Sequence, residues 1–98
     1  MELKIHLTER AGADLDEIKA YLMPRDPEAA ERVRHSIEQA INTVTFFPDI
    51  GRPTNTKDVC MVPVVRYPYR VYHTVDADTV TVLHIRHTSR DVPRKSEL

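Results

Sequence analysis

Residues 67–91 read YPYRVYHTVDADTVTVLHIRHTSRD. Tyr, Val, Thr and Ile recur at period two on either side of DADT, the pattern of strands rather than of a helix. A tight turn through DADT joins the two runs as an antiparallel hairpin. With Val75 opposite Val80, Tyr72 is expected opposite Leu83, Arg70 opposite Ile85, and Tyr69 opposite Arg86. Tyr69, Val71, His73 and Val75 then share one face with Val80, Val82, His84 and Arg86. Arg70, Tyr72 and Thr74 share the other with Thr81, Leu83, Ile85 and His87. Neither face is cleanly apolar, and a one-residue slip exchanges them. Which face a second layer covers stays open at this point.

Upstream, CMVPVV (residues 60–65) is a further strand, which Pro63 assigns to an edge or a bulge because proline cannot donate to a ladder. At the N-terminus, Leu3, Ile5 and Leu7 alternate with Glu2, Lys4 and His6, the signature of a half-buried strand. Thr8 is placed to cap a helix, and Glu9 sits favourably in its first turn. Ala11, Leu15, Ile18 and Leu22 form one apolar stripe, with Asp14, Asp16, Glu17 and Lys19 elsewhere on the helical circle.

The run MPRDP (residues 23–27) ends that helix, since Pro24 and Pro27 cannot occupy a helix interior. Asp26 followed by Pro27 restarts one, with aspartate at the N-cap and proline at the first position. Ala30, Val33, Ile37, Ile41 and Val44 make its apolar stripe, and Glu28 with Arg32 is an i,i+4 pair. PDIGRP (residues 48–53) is a turn in which Gly51 is expected to adopt positive φ. The order is β-α-α-β-β-β, an α+β domain with a helical hairpin on a small, largely antiparallel sheet. Residues 1–98 are expected to form one domain, with 91–98 a flexible polar tail.

Composition narrows the function classes. Hydrophobic residues make up 41% and charged residues 30% of the 98, which suits a globular chain rather than a disordered one. The single cysteine, Cys60, can form no internal disulfide and is expected as a small, mostly buried thiol in a reducing compartment. No apolar run reaches membrane-spanning length, and MELKIHLTER lacks a signal-peptide core, so a cytoplasmic protein with no membrane partner is expected. The net charge of −1 speaks against a generally basic nucleic-acid binder. Residues 1–50 carry six Lys/Arg against ten Asp/Glu, whereas residues 51–98 carry eight against five. One half of the chain is acidic and the other basic, which bears on partners more than on fold.

The cations of the basic half carry the chemistry. On the expected register Arg70 and His87 share a face, Arg86 lies on the last strand, and Arg90 follows its end. Arg52 and Arg66 come from neighbouring loops. Together they suggest a basic, imidazole-bearing mouth at one end of the sheet. The default for an arginine on an exposed strand is a solvated side chain, and for His73 and His84 it is a satisfied position at the core edge. His84 and His87 have opposite parity and no third ligand nearby, so no metal is expected. No Gly-x-Ser-x-Gly, P-loop or dinucleotide fingerprint occurs, and no cofactor is expected. Arginine and histidine suit a phosphodiester: guanidinium forks hold phosphate oxygens and imidazole moves a proton.

Four stretches in order, LTERAGADLDEIKAYL, DPEAAERVRHSIEQAINTV, FPDIGRP and YPYRVYHTVDADTVTVLHIRHTSR, resemble the RelE/ParE family of bacterial toxins from type II toxin–antitoxin modules. They span nearly the whole chain. The resemblance implies the fold reached above and a hetero-oligomer with a cognate antitoxin. One branch of the family cuts mRNA on the ribosome; the other poisons DNA gyrase. Arginines of the RNase branch match Arg70 and Arg90. Its paired lysines fall near Val62 and Val64, and its C-terminal tyrosine has no counterpart, since no tyrosine follows Tyr72. The turn FPDIGRP and the ending LHIRHTSRD resemble the ParE-like branch, which implies gyrase as the target. The alternatives are a metal-independent endoribonuclease with Arg70, Arg90 and His87 as catalytic residues, and a degenerate, non-toxic binding subunit. Arg52, Arg66 and Arg86 are the expected binding residues.

Overall fold

A computed structural model describes residues 3–89. Its elements are β1 (Lys4–Leu7), α1 (Glu9–Leu22), α2 (Pro27–Phe46), β2 (Arg52–Pro53), β3 (Cys60–Pro63), β4 (Tyr69–Asp76) and β5 (Thr79–His87). The strands make one sheet in the order β1-β5-β4-β3-β2. β1 runs parallel to β5, and every other pairing is antiparallel. The expected α+β arrangement is therefore present, with the two-residue β2 added at one edge. The expected tail, residues 91–98, lies outside the described residues.

Local chemistry sets the helix starts. The Thr8 hydroxyl accepts the Ala11 N–H at 3.1 Å, and the Asp26 carboxylate accepts the Ala29 N–H at 3.1 Å. Pro27 then opens α2 where no N–H is needed. Ala30, Val33, Ile37, Ile41 and Val44 are all buried and lay α2 along the sheet. Each large apolar side chain so buried contributes roughly 1.5–3 kcal/mol. The α1 stripe is shallower: Ala11 is fully buried, while Leu15, Ile18 and Leu22 pack against the core from its margin.

The sheet side of the core is Val62, Val64, Val71, Val80, Val82 and Ile85. Ile85 corrects the expected register. Val75 does pair with Val80, but a one-residue shift falls at Tyr72/His73, so that Leu83 is left over. Beyond it Tyr72 faces His84, Arg70 faces Arg86, and Tyr69 faces His87. The extra residue brings Ile85 onto the same side as Val80 and Val82, the side the helices cover.

Gly51 also departs from expectation. It has no positive φ; among the described residues that conformation belongs to Asp58, Arg66 and Ala77. Glycine is needed for space instead. A Cβ at residue 51 would lie 2.9 Å from Cys60 Cβ and 2.9 Å from His73 Cε1. Cys60 itself is half-buried and free. Pro63 lies beyond the residues that β2 pairs, so its missing N–H interrupts no ladder on that side.

Candidate functional site

The bulge in β5 positions the functional side chains, and α1 holds it. The Thr8 hydroxyl donates to the Leu83 carbonyl at 3.1 Å. Asp14 accepts the Ile85 N–H at 2.9 Å and the Nδ1–H of His84 through the same carboxylate oxygen. Its other oxygen lies 3.4 Å from Arg10 Nε. Backbone groups of β5 beyond the end of β1 are thus satisfied by two side chains of the α1 N-terminal turns. Asp14 is only 6% exposed, although its helical position put it off the apolar stripe. The change of apolar parity in VTVLHIRH is a signal for the bulge, though not for Asp14.

His73 is fully buried, and neither ring nitrogen has a hydrogen-bond partner among the described residues. Burial pushes its imidazole below the ordinary value of 6.5, against a smaller opposite pull from the Val71 backbone. His73 is thus a neutral core residue beneath Gly51. His84 is paired through Nδ1, and its buried Nε2 has no partner among the described residues. No group of three or more His, Cys, Asp or Glu among the described residues could hold a metal ion.

The sheet separates Arg70 from His87. Tyr69 packs against the core, as do Val71 and Ile85, so alternation puts Arg70 and Arg86 on the face away from the helices. The two arginines stand directly opposite each other on β4 and β5. Like charges so placed repel one another across the ladder. His87 instead meets the Tyr69 ring edge-on at 5.3 Å, on the helix side. There it lines a cleft of about 440 Å³ with Asp14, Glu17, Tyr21 and Ser89. Its Nδ1 accepts the Ser89 N–H at 3.1 Å, which leaves Nε2 to carry the proton in the neutral ring.

The expected single mouth is therefore not formed by the described residues. Arg70 and His87 lie on opposite faces of the sheet, because the bulge moves His87 by one position. Arg52 and Arg66 line a separate groove beside α2. Arg90 lies outside the described residues.

Comparison with known proteins adds the family. Residues 5–92 match the family described as ParE toxin of type II toxin–antitoxin system, parDE. Y4kP of Sinorhizobium fredii, a putative toxin by name, is 33% identical over 91 residues, covering 93% of this chain and 94% of that protein. Toxin RelE2 of Caulobacter vibrioides is 31% identical over 85 residues, covering 85% of this chain and 92% of that one. Among solved structures, a chain of the chromosomal ParDE system from P. aeruginosa superposes with a TM-score of 0.76 at 22% identity, covering 88% of this chain and 96% of that chain. The fold agrees with the resemblance read from the sequence, and the matched span takes in both helices and the hairpin. This chain belongs to the ParE toxin family of type II toxin–antitoxin systems, within the wider RelE/ParE group.

Proposed function

We propose that this toxin arrests growth by binding DNA gyrase, as a protein–protein inhibitor with no bond chemistry of its own, and that a cognate antitoxin neutralises it in the cytoplasm. The observation that carries this reading is the separation of Arg70 from His87 by the sheet. Cleavage by 2′-hydroxyl attack needs a base, an acid for the leaving oxygen, and cations on the same phosphate. The arginine pair Arg70–Arg86 supplies only the cations. His87 faces the α1 cleft, His84 is buried against Asp14 of α1, and His73 is buried against Gly51. Such a surface can bind an anionic patch, and the imidazole of His87 does not stand beside it.

Further support comes from the family match itself and from the solved relatives, which include a ParDE system and the RelBE2 toxin–antitoxin complex of Mycobacterium tuberculosis. No helix among the described residues is long and apolar enough to cross a membrane.

One observation favours the second reading, a ribosome-dependent endoribonuclease: Arg70 and Arg86 form a cationic pair on an open sheet face, and one relative is named RelE2. Induction of the chain without antitoxin separates the two. The gyrase reading predicts growth arrest with a DNA-damage response and unchanged mRNA 5′ ends. New 5′ ends within translated codons would overturn it. Growth untouched by induction would make the chain a binding subunit alone.

A further inference from the structure

β1 is an outer strand of the sheet, and among the described residues it pairs with β5 alone. The Lys4 N–H donates to the Asp78 carbonyl at 2.7 Å, and the Thr8 N–H donates to the Val82 carbonyl at 3.1 Å. Backbone groups alternate in direction along a strand. Lys4, His6 and Thr8 therefore face β5, and the N–H and C=O of Ile5 and Leu7 face outward, where no described strand meets them.

The side chains on this edge are apolar where the backbone is open. Ile5 is 45% exposed and Leu7 41%. With Leu15 of α1 and Ile37 and Ile41 of α2 they line a groove of about 380 Å³, completed by Arg34, Glu38 and Asn42. Arg34 is ion-paired with Glu31 and Glu38, and Lys4 lies 3.5 Å from Asp78. The edge thus carries no unbalanced charge that would select an acidic or a basic partner. An open edge with exposed apolar side chains is a template for another strand.

We infer that this edge pairs with β1 of a second copy of the chain, antiparallel, about a two-fold axis through His6. In that register Ile5 stands opposite Leu7 of the second copy, and Leu7 opposite Ile5 of the second copy. Each pair exchanges two backbone hydrogen bonds, because all four residues direct their groups outward. Their side chains meet on the helix side as apolar cross-strand pairs. The same patch serves both copies, as a closed dimer requires.

The neighbouring two-fold registers are closed. Centring on Ile5 sets Leu7 against Leu3, whose N–H is already held by the Thr45 carbonyl at 3.2 Å. Centring on Leu7 sets Ile5 against Glu9, the first residue of α1. A four-residue strand makes a contact below standard interface size, so the expected Kd is micromolar, roughly 1–100 µM. The pairing is independent of the gyrase reading.

The test is sedimentation velocity of the free full chain from about 1 µM to about 200 µM, which brackets that Kd. The expected result is a concentration-dependent rise from monomer to dimer. Ile5→Lys with Leu7→Lys should stay monomeric with unchanged circular dichroism. A crosslink reads the register separately and needs no lysine variant. In a Cys60→Ser background, His6→Cys should oxidise to a disulfide-linked dimer, since the central non-hydrogen-bonded pair holds its Cα atoms about 4.5 Å apart. Lys4→Cys, opposite Thr8, should stay monomeric under the same oxidant. Monomer at every concentration, a dimer that the lysine variant keeps, or equal crosslinking from positions 4 and 6 overturns the pairing. Hydrogen-exchange protection of the Ile5 and Leu7 amides that appears only with antitoxin bound overturns it too, and gives the edge to the antitoxin.

Discussion

Asp14 and His84, 70 residues apart in sequence, meet in a buried carboxylate–imidazole hydrogen bond that clasps α1 to the β5 bulge. The same carboxylate oxygen accepts the Ile85 N–H at 2.9 Å. Removing it strands two buried donors at once. Asp14→Ala should therefore cost about 3–5 kcal/mol of stability. Asp14→Asn, which keeps a carbonyl acceptor, should cost less. Urea denaturation of both variants checks this; an alanine variant within about 1 kcal/mol of wild type would mean that the clasp holds nothing.

His73 gives the protein an acid sensitivity of definite sign. Its folded-state pKa is lowered by burial, so the unfolded chain binds a proton at a pH where the folded chain does not. The stability that His73 contributes is complete above its ordinary value of about 6.5 and is lost as pH falls from there toward the folded value. The slope cannot exceed about 1.4 kcal/mol per pH unit for this one group. Wild type should lose stability as the pH is taken from about 7 to about 5, and His73→Gln should show a flatter profile even if it starts less stable. Parallel profiles would contradict the assignment.

Gly51 is held by contact rather than by backbone conformation. Gly51→Ala should destabilise by about 1–3 kcal/mol through overpacking against His73 and Cys60. The double variant with Cys60→Gly should recover part of that loss, because it removes one of the clashing atoms. Equal melting temperatures for wild type and Gly51→Ala would show that the turn yields freely.

Much of this fold is legible in the sequence, because it rests on local signals. Thr8 and Asp26 announce the helix starts, Pro24 and Pro27 the break, and the α2 stripe the core face. The hairpin register is legible only as far as the bulge. Strict alternation carries the expectation past Leu83 and so puts His87 beside Arg70. What decides the register there is Asp14, a tertiary partner that no sequence window contains. Gly51 fails for a similar reason: a glycine in a turn reads as positive φ, while its actual constraint comes from His73 across the fold. Arg52 and Arg66 read as cations of neighbouring connections, but their shared groove depends on how β3 lies along α2.

Arg70 tests whether the open sheet face meets the target. It opposes Arg86, and relief of like-charge repulsion should leave Arg70→Ala within about 0.5 kcal/mol of wild-type stability. Toxicity should nevertheless fall, with Arg70→Lys intermediate because lysine keeps the charge and loses the fork. Full toxicity of the stable alanine variant would remove this face from the target contact.

A cleavage assay with purified components tests most directly whether the toxin acts on gyrase and breaks no bond itself. The chain is mixed with DNA gyrase, ATP and supercoiled plasmid, and the reaction is stopped with detergent and protease. The expected result is linear plasmid that accumulates with the amount of toxin, depends on gyrase, and disappears when antitoxin is added first. Intact plasmid at every toxin concentration, together with codon-specific cuts in a defined mRNA added to a translating extract, would contradict gyrase poisoning.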